Sequence, residues 1–366
     1  MPGISFSGGG AEAAKGEFLV VTIRLDGPAD NLKGDIGAEN LQQPQRQECV
    51  EIRSGCGISG PFAAPRGGLP LLTTPGAYGT IRSSMIDPEA VRRAVRAALD
   101  EDIGAGDLTS HLVIEAGVRA RGDIVAREPV VVAGMSVARE VFRQVDESLD
   151  FRSRCDDGAV RHPGDCLATV EGAARSILAA ERTALNFLQR LCGIAVATRR
   201  AVGLLNGARV QITGTRKTAP GLRVLDRYAV EVGGGSAHRQ GLFDAVLIKD
   251  NHWRLAGGVE MSIERARQEM ARVGRLLPIE VEAGTLDEVD EALRAKAEAI
   301  LLDNMDRATL ERAVALARGR AFLEASGGIR EEDIAALASV GVDRISLGSL
   351  THSVRAADLA LEVRPE

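Results

Sequence analysis

The spacing of short apolar segments after residue 209 constrains the fold more than any other feature. Strand candidates are centred on Ile212, Leu247, Glu280, Leu301, Leu323 and Ile345, at intervals of 35, 33, 21, 22 and 22 residues. Amphipathic segments such as "TLDEVDEALRAKA" and "RATLERAVALARG" lie between the later ones. Regular strand–helix–strand units of this length imply a parallel sheet, and six in a row predict a β/α barrel or an incomplete one.

The chain before the predicted barrel has a different order of predicted helices and strands. "MIDPEAVRRAVRAALDED" predicts a helix, because Asp87 can cap it, Pro88 suits its first turn and Val91, Val95 and Leu99 recur at helical spacing. Short strand candidates separated by turn residues follow at 119–171. The segment "ARSILAAERTALNFLQRLCGIAVATRRAVGLLN" then predicts one long helix with a broad apolar face.

Residues 1–84 have a different composition, rich in Gly, Pro, Gln and small residues. Such a segment has little apolar surface to bury against its chain entropy, so we expect either a disordered extension or a true start at Met85. The segment lacks the basic start and apolar core of a signal peptide, and it is not of the acid-poor transit type.

Composition excludes several classes of function. The chain is 45% hydrophobic and 26% charged, with 3% aromatic residues and a formal net charge of -6, which disfavours nucleic-acid binding. No apolar stretch approaches the roughly 20 residues that span a bilayer. The cysteines form no CxxC pair and predict reduced thiols in a cytoplasmic protein, with Cys192 in the core. They are Cys49, Cys56, Cys155, Cys166 and Cys192.

Residues that can bind ligands or take part in a reaction follow each predicted barrel strand, at the rim where such barrels carry their sites. Arginine matches carboxylates and phosphates, whereas Glu282 and Asp303 offer the hard oxygens that suit Mg²⁺. Glycine turns after the last two strands allow backbone N–H groups to approach a phosphate. A surface charge explains any one of these residues but not the set. The rim segments are 215–217, 249–250, 282, 303–304, 326–328 and 348–349.

A family resemblance now follows from the order of motifs. "DIGAGDLTS", "ERTALNFLQRLCGIA", "GTRKTAPGLR", "KDNH", "IEVEA", "LLDN", "SGGI" and "LTHS" occur in collinear order over residues 85–366. This series closely resembles quinolinate phosphoribosyltransferase, the decarboxylating pentosyltransferase of de novo NAD biosynthesis. The resemblance implies an α/β protein with an N-terminal α/β sandwich domain at 85–200, joined by residues 353–366, and an incomplete β/α barrel at 201–352.

The resemblance also implies a reaction and a set of roles. Ribose 5-phosphate would pass from phosphoribosyl pyrophosphate to the quinolinate nitrogen, with loss of pyrophosphate and CO₂, giving nicotinate mononucleotide. By resemblance, Arg216, Arg239 and neighbouring His238 hold quinolinate, together with Arg182 supplied by the partner subunit of a homodimer or larger oligomer. Lys217 and Lys249 lie near pyrophosphate and ribose, while Glu282 and Asp303 bind ribose hydroxyls and Mg²⁺ and stabilise the ribosyl centre. The 5-phosphate residues are Ser326, Gly327, Gly328, Gly348 and His352.

Three alternatives stay open at this point. A related phosphoribosyltransferase could use another acceptor, as the molybdenum-operon homologue or a nicotinate enzyme does, although a mono-acid would not require Arg182, Arg216 and Arg239 together. A barrel lyase could use Lys249 as a Schiff base, which leaves the arginines unexplained. A ligand-binding regulator without activity would not need Glu282, Asp303 and Lys217.

Overall fold

The computed structural model describes residues 86–236 and 238–366 of the chain. The predictions for residues 1–84 and for a start at Met85 lie outside this described part. No helix within it is both long enough and apolar enough to cross a bilayer.

The secondary structure divides into two successive groups. The first comprises α1 (Pro88–Asp102), α2 (Leu108–Val113), β1 (Arg119–Ala126), β2 (Val130–Val131), α3 (Met135–Val145), β3 (Asp150–Ser153), β4 (Val160–Arg161), β5 (Cys166–Ala173) and α4 (Ala174–Gly203). The second comprises β6 (Gln211–Thr213), α5 (Arg223–Val232), β7 (Val246–Ile248), α6 (Asp250–Ala256), α7 (Val259–Arg272), β8 (Ile279–Ala283), α8 (Leu286–Arg294), β9 (Ala299–Asp303), α9 (Arg307–Ala317), β10 (Phe322–Ser326), α10 (Ile334–Ala338), β11 (Arg344–Ser346), α11 (Ser349–His352) and β12 (Leu359–Pro365).

The first group forms an antiparallel sheet covered by helices. Its strand order is β12, β1, β5, β3, and β2 pairs separately with β4. Along β1 every second residue is buried, as expected for a strand with one face on a core. The chain returns at its end to complete this sheet, because β12 pairs with β1 from Ala120 opposite Pro365 to Ala126 opposite Leu359.

The first helix begins where its sequence predicts. Asp87 caps α1 by accepting a hydrogen bond at 3.0 Å from the backbone N–H two residues on. Val91, Val95 and Leu99 are buried, and α1 packs on α3 and α4. The predicted helix start and its apolar face are therefore confirmed.

Helix α4 runs for 30 residues and packs on the sheet, on α3 and on α5. Cys192 is fully buried on it, as predicted. The next residue, Gly193, allows the backbone of the C-terminal segment to come very close. A Cβ at Gly193 would lie 2.1 Å from the carbonyl oxygen of Arg355, so a larger residue does not fit there.

The second group builds a six-stranded parallel sheet in the order β6, β11, β10, β9, β8, β7. Every residue of β8 is buried, as expected for a strand inside a barrel with helices outside. Strands β6 and β7 are the two edges of this sheet, and the described residues contain no β6–β7 pairing that would close it into a complete barrel. The predicted incomplete β/α barrel is confirmed.

The outer helices start at the caps that the sequence offers. Thr285 and Glu288 form a reciprocal capping box at the start of α8. Asp306 caps α9 by accepting a hydrogen bond from the Thr309 backbone N–H at 2.8 Å. Both amphipathic segments expected between the later strands are thus helices.

Candidate active site

The predicted rim residues lie at the carboxyl ends of neighbouring strands. Across the sheet, the strand order places Lys217, Gly348, Ser326, Asp303, Glu282 and Lys249 one after another. Ser326 pairs in register with Asp303, so these two positions are immediate neighbours. The order across the rim differs from the order along the chain because the sheet runs from β6 to β11 and back to β7.

The turn after β10 requires glycine. Gly327 and Gly328 have φ angles of +93° and +60°, in the left-handed region that favours glycine. A Cβ at Gly327 would lie 2.4 Å from Asn304 Oδ1 and 2.7 Å from the Asn304 backbone nitrogen. The Asn304 N–H donates to the Ser326 carbonyl at 3.0 Å, and this bond holds the two loops together. The turn therefore presents bare backbone at the rim.

Gly348, Lys217 and His352 meet beside that turn. A Cβ at Gly348 would lie 3.0 Å from His352 Cδ2 and 3.4 Å from Lys217 Cδ. The Thr351 hydroxyl donates to the Lys217 carbonyl at 2.9 Å, which fixes the backbone of the lysine. A cation, an imidazole and a glycine turn thus share one corner of the rim, a combination suited to a phosphate monoester.

Two further basic residues of the rim, Arg216 and Arg239, lie near each other. We call Arg216 and Arg239 the arginine pair. The Nε atoms of both are buried and have no hydrogen-bond partner in the described part of the chain. Burial, followed by the charge of Arg216, lowers the pKa of Arg239. Two partly buried cations near each other, each with a buried Nε atom that has no hydrogen-bond partner, favour an anion with two charged groups.

His238 points into the barrel. Its Nδ1 accepts a hydrogen bond from the Arg239 backbone N–H at 2.8 Å. Its Nε2 lies 3.6 Å from Glu280 Oε2 and 3.6 Å from Glu324 Oε2. Burial lowers the pKa of His238, so at neutral pH the ring is uncharged and carries its proton on Nε2, facing the carboxyl groups.

The sequence analysis missed the buried ionisable cluster beneath His238. Arg344 Nη1 donates to Glu324 Oε2 at 3.1 Å, and both side chains are almost completely buried. Burial and the charge of Glu324 raise the pKa of Glu280. The sequence feature that could have revealed the cluster is a charged residue within each of two otherwise apolar strands. These residues are the first Glu of "IEVEA" and the Glu of "AFLEAS".

This cluster has the residue types of a metal site but not its electrostatics. Single ligand atoms of His238, Glu280 and Glu324 all lie within 4.8 Å of one another. However, Arg344 already neutralises Glu324, and an arginine next to a ligand opposes a second cation. We therefore regard the cluster as an internal ion network.

Glu282 and Asp303 lie on adjacent strands and face the rim with oxygen atoms. The Lys249 ammonium donates to Glu282 Oε2, and Trp253 Nε1 donates to the Glu282 carbonyl at 3.2 Å. Asp303 Oδ2 accepts from Asn304 Nδ2 at 2.7 Å. The Lys249 amine is thus engaged in an ion pair with a carboxylate, which disfavours its use as the nucleophile of a Schiff-base lyase.

Arg182 is the one predicted site residue that the structure does not bring to the rim. It lies on the exposed side of α4, and no hydrogen bond or ion pair joins it to the rim residues within the described chain. Its position leaves it available to another molecule.

Comparison with known proteins identifies the family. Residues 107–192 match the family model for the N-terminal domain of quinolinate phosphoribosyl transferase, and residues 194–362 match the model for its C-terminal domain. A Mycobacterium leprae protein named nicotinate-nucleotide pyrophosphorylase [carboxylating] is 42% identical over 281 residues, which cover 75% of this chain and 98% of the relative. A Bacillus subtilis protein named as a probable enzyme of the same kind is 41% identical over 263 residues, covering 72% and 90%.

Solved structures agree with these matches. The nicotinate-nucleotide pyrophosphorylase of Francisella tularensis superposes with a TM-score of 0.72 at 38% identity, covering 76% of this chain and 98% of that one. Both halves of the fold and nearly the whole length of these relatives are therefore accounted for. The chain belongs to the quinolinate phosphoribosyltransferase family.

Proposed function

We propose that the protein transfers the 5-phosphoribosyl group of phosphoribosyl pyrophosphate to the ring nitrogen of quinolinate. Pyrophosphate and CO₂ leave, and nicotinate mononucleotide is the product. The observation that carries this proposal is the arginine pair, whose buried Nε atoms have no hydrogen-bond partner, together with the corner formed by Lys217, Gly348 and His352. A dicarboxylate acceptor and a phosphorylated donor match these two adjacent features.

Quinolinate binds through its two carboxylates. Arg216 and Arg239 hold them by charge-assisted hydrogen bonds, which also satisfy the buried Nε atoms. His238 supports the clamp indirectly. Its ring nitrogen Nδ1 accepts a hydrogen bond from the Arg239 backbone N–H, and this bond fixes the position of the Arg239 backbone. This clamp aims the ring nitrogen at the ribose.

Phosphoribosyl pyrophosphate binds along the rest of the rim. Its 5-phosphate lies against Ser326–Gly328, Gly348 and His352, where backbone N–H groups can approach it. Glu282 and Asp303 accept the ribose hydroxyls and stabilise the positive charge that develops on the ribose as pyrophosphate leaves. Lys217 and Lys249 stabilise the departing pyrophosphate. Decarboxylation follows because the positively charged ribosylated ring stabilises the electron pair that the broken C–CO₂ bond leaves on the ring carbon, and a proton from solvent then takes the place of the carboxylate.

Glu282 and Asp303 also fit Mg²⁺. They supply hard oxygen ligands on adjacent strands, and substrate oxygens would complete the shell of the ion. Bound there, the ion would neutralise charge on the pyrophosphate. Lys249 donates to Oε2 of Glu282, and the other oxygen of that carboxylate would face the ion.

We further propose that the active form is a homodimer or larger assembly in the cytoplasm. Arg182 is exposed on α4 and has no hydrogen bond or ion pair with the rim residues of its own described chain, and a third cation would strengthen the quinolinate clamp if a partner subunit supplied it. The cysteines of the described part, Cys155, Cys166 and Cys192, are all free, which suits a reducing compartment.

The direct test is to incubate the full-length chain with quinolinate, phosphoribosyl pyrophosphate and MgCl₂, and to measure nicotinate mononucleotide by mass spectrometry. Arg216→Ala should lower kcat/KM for quinolinate about 10- to 100-fold, because it removes charge-assisted hydrogen bonds. Arg307→Ala is the matched control, since this arginine is exposed and pairs only with Glu311. Nicotinate accepted in place of quinolinate, or full activity of Arg216→Ala, would contradict the proposal.

A further inference from the structure

The loop that carries Arg216 and Lys217 has no regular secondary structure of its own. We call residues 214–222, between β6 and α5, the arginine loop. Within it, the Lys217 N–H donates to Thr215 Oγ1 at 3.1 Å and the Thr218 N–H donates to the Arg216 carbonyl at 3.0 Å. These local bonds shape the turn but do not fix its direction relative to the barrel.

A buried ion pair lies directly behind this loop. Asp226 on α5 is completely buried, and the guanidinium of Arg190 on α4 forms a bidentate ion pair with its carboxylate. Arg190 Nε lies 2.8 Å from Asp226 Oδ1, and Arg190 Nη2 lies 2.7 Å from Asp226 Oδ2. This fork-to-fork geometry defines the relative position of the two side chains more tightly than a single hydrogen bond does.

The pair reaches the arginine loop at two points. Asp226 Oδ2 accepts the backbone N–H of Ala219 at 3.2 Å. Arg190 Nη2 donates to the Thr351 carbonyl at 3.2 Å, and the Thr351 hydroxyl donates to the Lys217 carbonyl at 2.9 Å. The backbone is therefore tied on both sides of Thr218, immediately after the two basic residues.

We propose that Arg190 and Asp226 are positioning residues that hold the arginine loop so that Arg216 and Lys217 face the two substrates. This inference rests on the roles proposed above for Arg216 and Lys217. Neither Arg190 nor Asp226 faces the rim in the contacts described, so both act through the loop.

Burial alone does not explain the pair. Isolating two charges from water offsets most of their attraction, so a buried ion pair contributes little net stability compared with apolar residues of similar volume. A second contact between the same two helices shows what a purely structural link looks like. Arg199 on α4 donates to the carbonyls of Gly233 and Val232 at the end of α5, and it makes no contact with the arginine loop.

The experiment compares Asp226→Asn, Arg190→Lys and Arg190→Ala with Arg199→Ala in the full-length chain. Asparagine keeps the shape of Asp226, but wherever its amide points it faces an N–H donor of Arg190 or Ala219. Lysine keeps the charge of Arg190 but loses the fork. Arg199→Ala removes a link between the same helices and leaves the loop contacts intact, so it serves as the matched control.

We expect kcat/KM for quinolinate and for phosphoribosyl pyrophosphate to fall about 10- to 100-fold in Asp226→Asn and Arg190→Ala, because small misplacements of binding groups have effects of this size. Arg190→Lys should lie between these variants and the wild type. The double variant Arg190→Ala/Asp226→Ala should be no worse than Arg190→Ala, since the two side chains work as one unit. Arg199→Ala should keep wild-type kinetics.

Hydrogen exchange supplies a readout that does not depend on activity. The peptide covering residues 215–222 should exchange faster in Asp226→Asn and Arg190→Ala than in the wild type, while the barrel strands stay protected. In Arg199→Ala this peptide should exchange at the wild-type rate.

Two outcomes would overturn the inference. Unchanged exchange of the 215–222 peptide in Asp226→Asn would show that the pair does not hold the loop. If Asp226→Asn and Arg199→Ala lost activity to the same extent, and each in proportion to its fall in Tm, the pair would have a structural role only. A failure of the proposed function is distinguishable, because Arg216→Ala would then be fully active whatever the exchange data show.

Discussion

At the scale of the residue, the rim relies on positions where no side chain fits. Gly327 combines a left-handed backbone with contact to Asn304, because the loops after two neighbouring strands approach each other closely here. The sequence suggested a phosphate turn there from its place after the penultimate strand. It could not show that the obstacle to a larger residue is Asn304, because that contact joins two different loops.

Gly327→Ala should weaken binding of phosphoribosyl pyrophosphate. The added Cβ would lie 2.4 Å from Asn304 Oδ1, and a left-handed φ is unfavourable for alanine, so the turn must move away from its phosphate position. We expect KM for phosphoribosyl pyrophosphate to rise about 10-fold or more, with a smaller change in KM for quinolinate. Steady-state kinetics with each substrate varied in turn measures the difference.

Gly319→Ala is the matched control for this prediction. Gly319 has a φ of +72°, also in the left-handed region, but nothing lies within 4 Å of its added Cβ. It should therefore lose stability through backbone strain while both KM values stay unchanged. An equal effect of the two substitutions on KM for phosphoribosyl pyrophosphate would contradict the assignment of the turn.

At the scale of the element, the sequence predicted what depends on local pattern. Six strands, the helices between them and the residues after each strand follow from apolar spacing and caps, and all six strands are present. The direction of His238 and its contacts with Glu280 and Glu324 could not be predicted, because they depend on three separate segments meeting inside the barrel. The same holds for Arg190 and Asp226, which only the packing of α4 on α5 brings together.

Helix α4 gives a prediction that reverses the usual preference for alanine over glycine in helices. Gly193→Ala should destabilise the protein, because the new Cβ would lie 2.1 Å from the Arg355 carbonyl oxygen and must displace the C-terminal segment. Gly203→Ala on the same helix meets nothing within 4 Å and should be neutral or stabilising by up to about 1 kcal/mol.

Thermal unfolding of both variants measures this contrast. We expect a clearly lower Tm for Gly193→Ala and an equal or higher Tm for Gly203→Ala, compared with the wild type. A Gly193→Ala protein as stable as the wild type would mean that the segment around Arg355 is not held against α4.

At the scale of the whole molecule, the two halves of the fold depend on one another. β12 returns from the barrel to complete the first sheet, and Tyr228 of α5 donates a hydrogen bond to Asp157 at 2.6 Å across the two halves. Helix α4 carries both Arg190, which binds Asp226 behind the arginine loop, and the exposed Arg182, eight residues or about 12 Å apart along the helix. One rigid element thus serves the site of its own chain and, by our proposal, the site of a partner.

Subunit mixing tests whether Arg182 acts across an interface. Arg182→Ala and Arg216→Ala should each have low activity, because each removes one cation of the quinolinate clamp. In a mixed dimer, the site with intact Arg216 receives intact Arg182 from the partner, so one of its two sites is complete. Refolding or exchanging the two variants together at equal amounts should therefore restore activity to about a quarter of the wild-type value. Activity of the mixture no higher than the average of the two variants would show that Arg182 does not act on a partner's site.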